Sequence, residues 1–246
     1  MIITSVQNPK IKHVLQLQQK NYRYKQNEFM AQGFKTCFTL QQYGYKLKTI
    51  FMTETMYHQH QQDFLIDDVE LISDQLMQTI STTSITTGIV GVFAMPSKEI
   101  TAFAHSAIIY NLQDPGNVGT LIRTASAMGL QAVYLIDSVD IYNPKVVQAT
   151  TGCFGALSCF QTTWDELKPI VSDIPLCALV VESGAKPEEI PLASAILVIG
   201  NEGQGLPADI IASCTYRMTL PMPGKTESLN AAVAGSIALY LKSRCL

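Results

Sequence analysis

Between residues 8 and 20 the apolar side chains fall at Ile11, Val14, Leu15 and Leu17 with lysines opposite, the spacing of a helix that buries one face. EFMAQG then predicts a strand, and FKTCFTLQQYG a helix closed by Gly44. KLKTIFMT predicts a second strand, with a polar helix behind it. VELIS, the helical DQLMQTIS and the strand GIVGVFAM complete a small α/β unit ending near Pro96. Residues 97–105 (SKEITAFAH) are expected to be a linker.

From Ala107 a second alternation begins. The strand AIIYNL precedes the helix NVGTLIRTASAMG, and the strand AVYLI precedes the helix PKVVQATTG. LSCF, the helical TWDELKPIV, LCALVVES and AILVIG come next, then helical PADIIASC, the strand YRMTLP and a long helix from about Ser228. Apolar strands separated by helices predict a parallel sheet covered on both faces. The expected organisation is a domain over 1–96, a linker over 97–105 and a second α/β domain over 106–246.

Composition bounds this picture. A chain of 246 residues, 47% hydrophobic and 15% charged, buries a real core. No apolar run reaches the length of a membrane span, and MIITSVQNPKIKHVLQ lacks the continuous apolar core of a signal peptide. The six cysteines form no C-x-x-C pair and stand mostly in apolar contexts, which points to a reducing cytoplasm. His58-Gln59-His60 has no evident third ligand, so no metal is expected. The charge is uneven. Residues 1–50 carry eight Lys/Arg against Glu28 alone, a net of +7, while the remainder carries nine against nineteen, a net of −10. Lys10, Lys12, Lys20, Arg23, Lys25 and Lys35 are therefore candidates to meet a polyanion, with Tyr22 and Tyr24 interleaved as stacking rings. A solvated lysine face is the plainer alternative.

Ligands of parallel α/β sheets sit at the carboxyl ends of strands, and three strand ends here carry polar, glycine-bearing loops. In NLQDPGNVGTLIRTASAMG, Asp114-Pro115-Gly116 is turn chemistry, Asn117 is a candidate helix cap, and Arg123 is either a surface residue or an anion anchor. In VIGNEGQGLP, three glycines in six positions imply unusual backbone or close approach to a ligand, with Glu202 held between them. Their order is not the dinucleotide fingerprint. In PMPGKTESLNAAVAGS, Gly224-Lys225-Thr226 resembles the end of a phosphate-binding loop. That loop needs a glycine where Thr219 stands, so a nucleotide triphosphatase is rejected. Ser228 and Asn230 mark the helix start there, Ser228 as a possible cap.

Taken together, DPGNVGTLIRTASAMG, LVIGNEGQGLP and LPMPGKTESLNAAVAGSIALY resemble the three motifs of the SpoU (TrmH-like) RNA ribose 2′-O-methyltransferases of the SPOUT superfamily. The N-terminal part resembles, more loosely, their L30e-like substrate-binding domain, with Gln32 where a glutamate is common. The resemblance implies a parallel sheet with a deep trefoil knot, a homodimer, and S-adenosylmethionine bound at the knot. It implies that Gly200, Gly203 and Gly205 let backbone approach the cofactor, and that Val181, Leu220, Pro221 and Leu229 line its site. It assigns Arg123, Asn117, Glu202, Ser228 and Asn230 to catalysis, phosphate anchoring being the physically safer role for an arginine that stays protonated. Gln148 stands where relatives often have arginine. The implied substrate is structured RNA, 23S ribosomal RNA ahead of transfer RNA. A non-catalytic RNA-binding module and a small-molecule enzyme of doubly wound type are the rival classes.

Overall fold

A computed structural model describes every residue except 1, 67, 83–85, 98, 202, 225–227 and 246. The chain divides into two compact units: Met1–Ser97 with Tyr142–Gly155, and Lys98–Ile141 with Ala156–Leu246.

The first unit contains α1 (Pro9–Gln16), α2 (Lys20–Gln26), β1 (Glu28–Gln32), α3 (Phe34–Gln42), β2 (Leu47–Met52), α4 (Glu54–His60), β3 (Val69–Leu71), α5 (Asp74–Ile80) and β4 (Ile89–Ala94). Its sheet runs β1-β4-β2-β3, and it is mixed: β4 is antiparallel to both β1 and β2, while β2 and β3 are parallel. One core gathers Ile11, Val14, Leu17, Met30, Leu76 and Ile80. The helical pattern over residues 8–20 is real but ends at Gln16, and α2 comes after it unannounced. Asn27 closes α2 in the left-handed conformation, φ 52°.

Between α6 (Pro115–Ala127) and β7 (Ser158–Thr162) lies α7 (Pro144–Thr150). The expectation that it belongs to the second domain needs correction, because residues 142–155 belong to the first unit. Phe29 meets Tyr142 at 4.8 Å and Phe154 at 5.9 Å between ring centres. Gly152, at φ +83°, leaves no room for a side chain, since a Cβ there would lie 2.9 Å from the Thr36 carbonyl oxygen.

The second unit holds β5 (Ser106–Tyr110), α6, β6 (Ala132–Ile136), β7, α8 (Trp164–Ile170), β8 (Leu176–Leu179), β9 (Ile196–Ile199), α9 (Ala208–Ala212), β10 (Tyr216–Met218) and α10 (Ala231–Ser243). Its six strands run β10-β8-β9-β5-β6-β7, all parallel. As expected of such a sheet, β6 and β9 are buried throughout. Part of the supposed linker is fastened to this unit: the buried Tyr134 donates to the Thr101 carbonyl at 2.6 Å and accepts from the Phe103 amide at 3.1 Å. A phenol in a core needs such partners, and residues 101–103 supply them. α10 lies against α6 with Gly235 at the contact, where a Cβ would come within 2.6 Å of Leu121 and 3.0 Å of Ile199.

Candidate active site

β10, β8 and β9 are neighbours, and their carboxyl ends open into loops that enclose a cavity of about 340 Å³. Asn201 organises the loop after β9. Its Oδ1 accepts from the Gly203 amide at 2.8 Å, and its Nδ2 donates to the Asn111 carbonyl, just beyond β5, at 2.9 Å. Its own carbonyl accepts from the Gly205 amide at 2.9 Å. The three glycines differ in their reasons. A Cβ on Gly200 would stand 2.7 Å from the Gly205 carbonyl carbon, so the loop's own backbone excludes it. Gly205 is needed for its positive φ of 65°. Gly203 has room, its nearest neighbour being Asn201 at 3.6 Å.

The loop after β8 is tied to β10 as tightly. Val180 donates to the Met218 carbonyl at 2.9 Å, Ala185 to that of Arg217 at 2.8 Å, and Thr219 back to that of Ala185 at 3.0 Å. A side chain on Gly184 would meet the Met218 and Thr219 backbone at 2.7 Å.

At the third strand end, Asp114 is the helix cap and accepts from the Asn117 amide at 2.8 Å. This corrects the capping role expected of Asn117. Asp114 precedes the first helical residue, where the free amides point, whereas Asn117 already lies inside the first turn. Asn117 instead accepts from Asn230 Nδ2 at 3.3 Å. Asn230 in turn caps α10, accepting from the amides of Ala232 at 3.0 Å and Val233 at 3.2 Å. The helix therefore starts at Ala231 and not near Ser228. Arg123 is exposed, just over two turns along α6.

Of the residues expected at the cofactor, Val181, Gly200, Gly205, Leu220 and Leu229 line the cavity, joined by Ser228. Gly203, Pro221, Asn117, Arg123 and Asn230 are not among its lining residues. Glu202 lies outside the described residues, as do Lys225 and Thr226. Sequence reasoning missed Leu179, Leu206, Met222, Asn201 and Arg217 in the wall. Asn201 had a signal: a turn-forming side chain directly after a buried strand, beside a glycine.

The basic candidates of the first unit fare unevenly. Arg23 is 2% exposed, and its guanidinium donates to the carbonyls of Leu17 at 2.9 Å and Gln18 at 2.8 Å. It joins α1 to α2 and is not a surface cation. Lys10 pairs with Asp68 at 3.0 Å and also with Glu70, which neutralise it and raise its pKa, the bond to Glu70 foremost. Lys12, Lys20, Lys25 and Lys35 are exposed, Lys20 lying 5.9 Å from the centre of the Tyr24 ring. Gln32 is 3% exposed, and among the described residues neither its Nε2 nor the Oε1 of Gln148 finds a partner. Among the described residues no group of three His, Cys, Asp or Glu could hold a metal.

The model of the SpoU rRNA methylase family matches residues 105–240, which contain all three loops. The chain belongs to that family. A second model, the MRM3-like substrate binding domain, matches residues 8–91. The 23S rRNA (guanosine(2553)-2′-O)-methyltransferase RlmP of Bacillus subtilis is 30% identical over 251 residues, covering 97% of each chain. An AdoMet-bound rRNA methyltransferase from Sinorhizobium meliloti superposes with a TM-score of 0.89 at 25% identity, over 99% of this chain and 97% of that one. An RNA 2′-O ribose methyltransferase reaches 0.85 at 27% identity, over 99% and 98%. The cavity's lining residues all fall within the SpoU match and within the second unit, while the match also takes in residues 142–155 of the first unit.

Proposed function

We propose that this SpoU protein transfers a methyl group from S-adenosylmethionine to a ribose 2′-hydroxyl of 23S ribosomal RNA. The observation that carries this reading is the convergence of the loops after β8, β9 and β10 on one cavity, within a chain alike end to end to rRNA methyltransferases. The cavity fits the cofactor: apolar walls (Leu179, Leu206, Leu220) suit a purine, and Asn201, Gln204 and Ser228 offer polar contacts.

S-adenosylmethionine, when bound, supplies a methyl group on a sulfonium for in-line attack. The apolar walls exclude water from that group. Ser228 stands at the cavity edge, and the Asn117–Asn230 pair sets where the first turn of α6 lies relative to it. Arg123 anchors the phosphate beside the target ribose and holds its hydroxyl in line. Transfer would break the sulfur–methyl bond as the oxygen–methyl bond forms, leaving S-adenosylhomocysteine, with the hydroxyl proton passing to the neighbouring phosphate that Arg123 holds.

The working form is a homodimer in the cytoplasm. Leu229, Val233, Ile237 and Tyr240 recur at helical spacing about α10 and are 36%, 47%, 40% and 51% exposed, an apolar stripe that a second copy would cover. α6 runs beside it, Thr124 bonding Ser236 at 3.1 Å, so Arg123 stands near that face. Since Arg123 is not in its own cavity wall, two copies complete the site. The cross-ties among residues 180–185 and 217–219 support the knotted path that the family resemblance implies. No described helix is long and apolar enough to cross a membrane.

The test is a map of 2′-O-methylation in total RNA from a deletion strain, paired with methyl transfer by purified protein to the affected RNA. One position in 23S rRNA should lose its methyl and regain it in vitro. Loss at a transfer RNA position alone, or nowhere, would overturn the substrate assignment. Light scattering should give a dimer.

A further inference from the structure

Two charged side chains stand in the cavity wall among the described residues, Arg217 and Glu182. Arg217 is the middle residue of β10, level with Ala178 of the neighbouring β8. Its neighbour Met218 is fully buried, so alternation turns Arg217 to the other face, where it is exposed. Glu182 lies just beyond β8, in the loop that returns to pair Ala185 with Met218. Among the described residues neither has an opposite charge within ion-pair distance. Among the described residues the wall thus offers one cation and one anion, not spent on each other, beside an apolar lining.

We propose that Arg217 binds the α-carboxylate of the methionine moiety of the cofactor, with Glu182 facing its α-ammonium. This rests on the assignment of the cavity to S-adenosylmethionine. A guanidinium stays charged at any working pH, and its planar fork matches a carboxylate through two parallel hydrogen bonds. An amino-acid head is zwitterionic, and separate charges of both signs recognise it better than either alone. The apolar remainder of the wall is left to the adenosine. The glycines account for the shape of the loops, and Arg217 accounts for choice among adenosyl compounds.

The experiment is calorimetric titration with S-adenosylmethionine and with decarboxylated S-adenosylmethionine, which keeps the ammonium and the sulfonium and lacks the carboxylate. Wild-type protein should prefer the intact compound by roughly 10- to 100-fold, the range for hydrogen bonds between charged groups. Arg217→Gln should lose that preference by weakening S-adenosylmethionine alone. Arg217→Lys, with charge but no fork, should fall between. If wild-type protein binds neither compound, the cavity is not a cofactor site and both readings fall. If it binds both equally, or if Arg217→Gln weakens both alike, the carboxylate role falls and the cofactor site stands. A variant that keeps its cofactor affinities but loses affinity for RNA would make Arg217 a phosphate contact instead.

Discussion

Asn230 donates from Nδ2 to Asn117 Oδ1 at 3.3 Å, joining the start of α10 to the first turn of α6 across 113 positions of sequence. The same Asn230 caps α10 through Oδ1. The two functions separate by mutation. Asn230→Ala should cost about 0.5–2 kcal/mol of stability, the usual loss for a helix cap, and slow methyl transfer. Asn230→Asp keeps the capping oxygen and removes the donor, so melting should stay near wild type while single-turnover transfer remains slow. Full activity in the aspartate variant would show that the link to Asn117 does not position anything.

Gly200 tests the loop after β9. A Cβ there meets the Gly205 carbonyl carbon at 2.7 Å and its oxygen at 2.8 Å, backbone atoms that cannot rotate away. Gly200→Val should open the loop and abolish cofactor binding by calorimetry, with the sheet intact by circular dichroism. Gly203→Ala, with its nearest contact at 3.6 Å, should bind almost normally. Equal losses in both variants would mean that flexibility, and not the close approach at Gly200, is what the loop needs.

The contrast between these glycines marks how far sequence reasoning reached. The parallel sheet, the order of its elements and the three loops were legible because buried strands and turn residues have local signatures. Gly200, Gly205, Val181, Leu220 and Leu229, expected at the cofactor, come together in one cavity wall. Features created by tertiary contact were not legible. Arg23 looks like any basic residue between tyrosines until two carbonyls are found to hold it. Residues 142–155 continue an unbroken α/β rhythm, and contacts with Phe29, Thr36 and Tyr45 show where they belong. Lys242 reads as the polar end of an apolar helix, yet it is fully buried.

The basic N-terminal region yields a test with opposite outcomes at adjacent positions. Lys20→Ala with Lys25→Ala should weaken RNA binding and flatten its salt dependence, because each lost cation releases fewer counterions. Stability should hardly change, as both side chains are exposed. Arg23→Ala should instead lower the melting temperature, leaving the Leu17 and Gln18 carbonyls without its guanidinium. RNA binding that tracks Arg23 and ignores the two lysines would reverse this assignment.

Arg123 divides a surface role from a catalytic one. It is exposed on α6, so Arg123→Ala should leave stability and cofactor affinity nearly unchanged. Single-turnover transfer should fall by roughly two to four orders of magnitude if it anchors phosphate and orients the hydroxyl. Arg123→Lys keeps the charge and loses the fork, and should be badly impaired as well. Near-normal rates in both would remove Arg123 from the mechanism.

Lys242 gives the protein a stability profile against pH that can be worked out in sign. Its ammonium is fully buried and donates to the carbonyls of Leu192 at 2.7 Å, Ala195 at 2.7 Å and Ala193 at 3.4 Å, locking the end of α10 onto the turn before β9. Burial draws its pKa down from 10.5 to about 8, against the opposing pull of Cys177 and Cys245. Between about pH 8 and 10.5 the unfolded chain holds a proton that the folded one has released, so stability from this group rises with pH across that window. The buried thiols of Cys37 and Cys177 and the half-buried one of Cys214 act the other way. Desolvation lifts Cys177 and Cys37 from 9.0 to about 12, and Cys214 to about 11, so their contribution is complete below pH 9 and lost as pH climbs beyond it. Urea midpoints should therefore rise from pH 8 to about 9 and then fall. Lys242→Met should be less stable throughout, since it strands buried carbonyls at about 1–3 kcal/mol each. It should also show no rise between pH 8 and 9, only the later decline. Parallel wild-type and Lys242→Met curves over that interval would mean that Lys242 does not titrate there, and that the three carbonyls hold its proton more firmly than burial expels it.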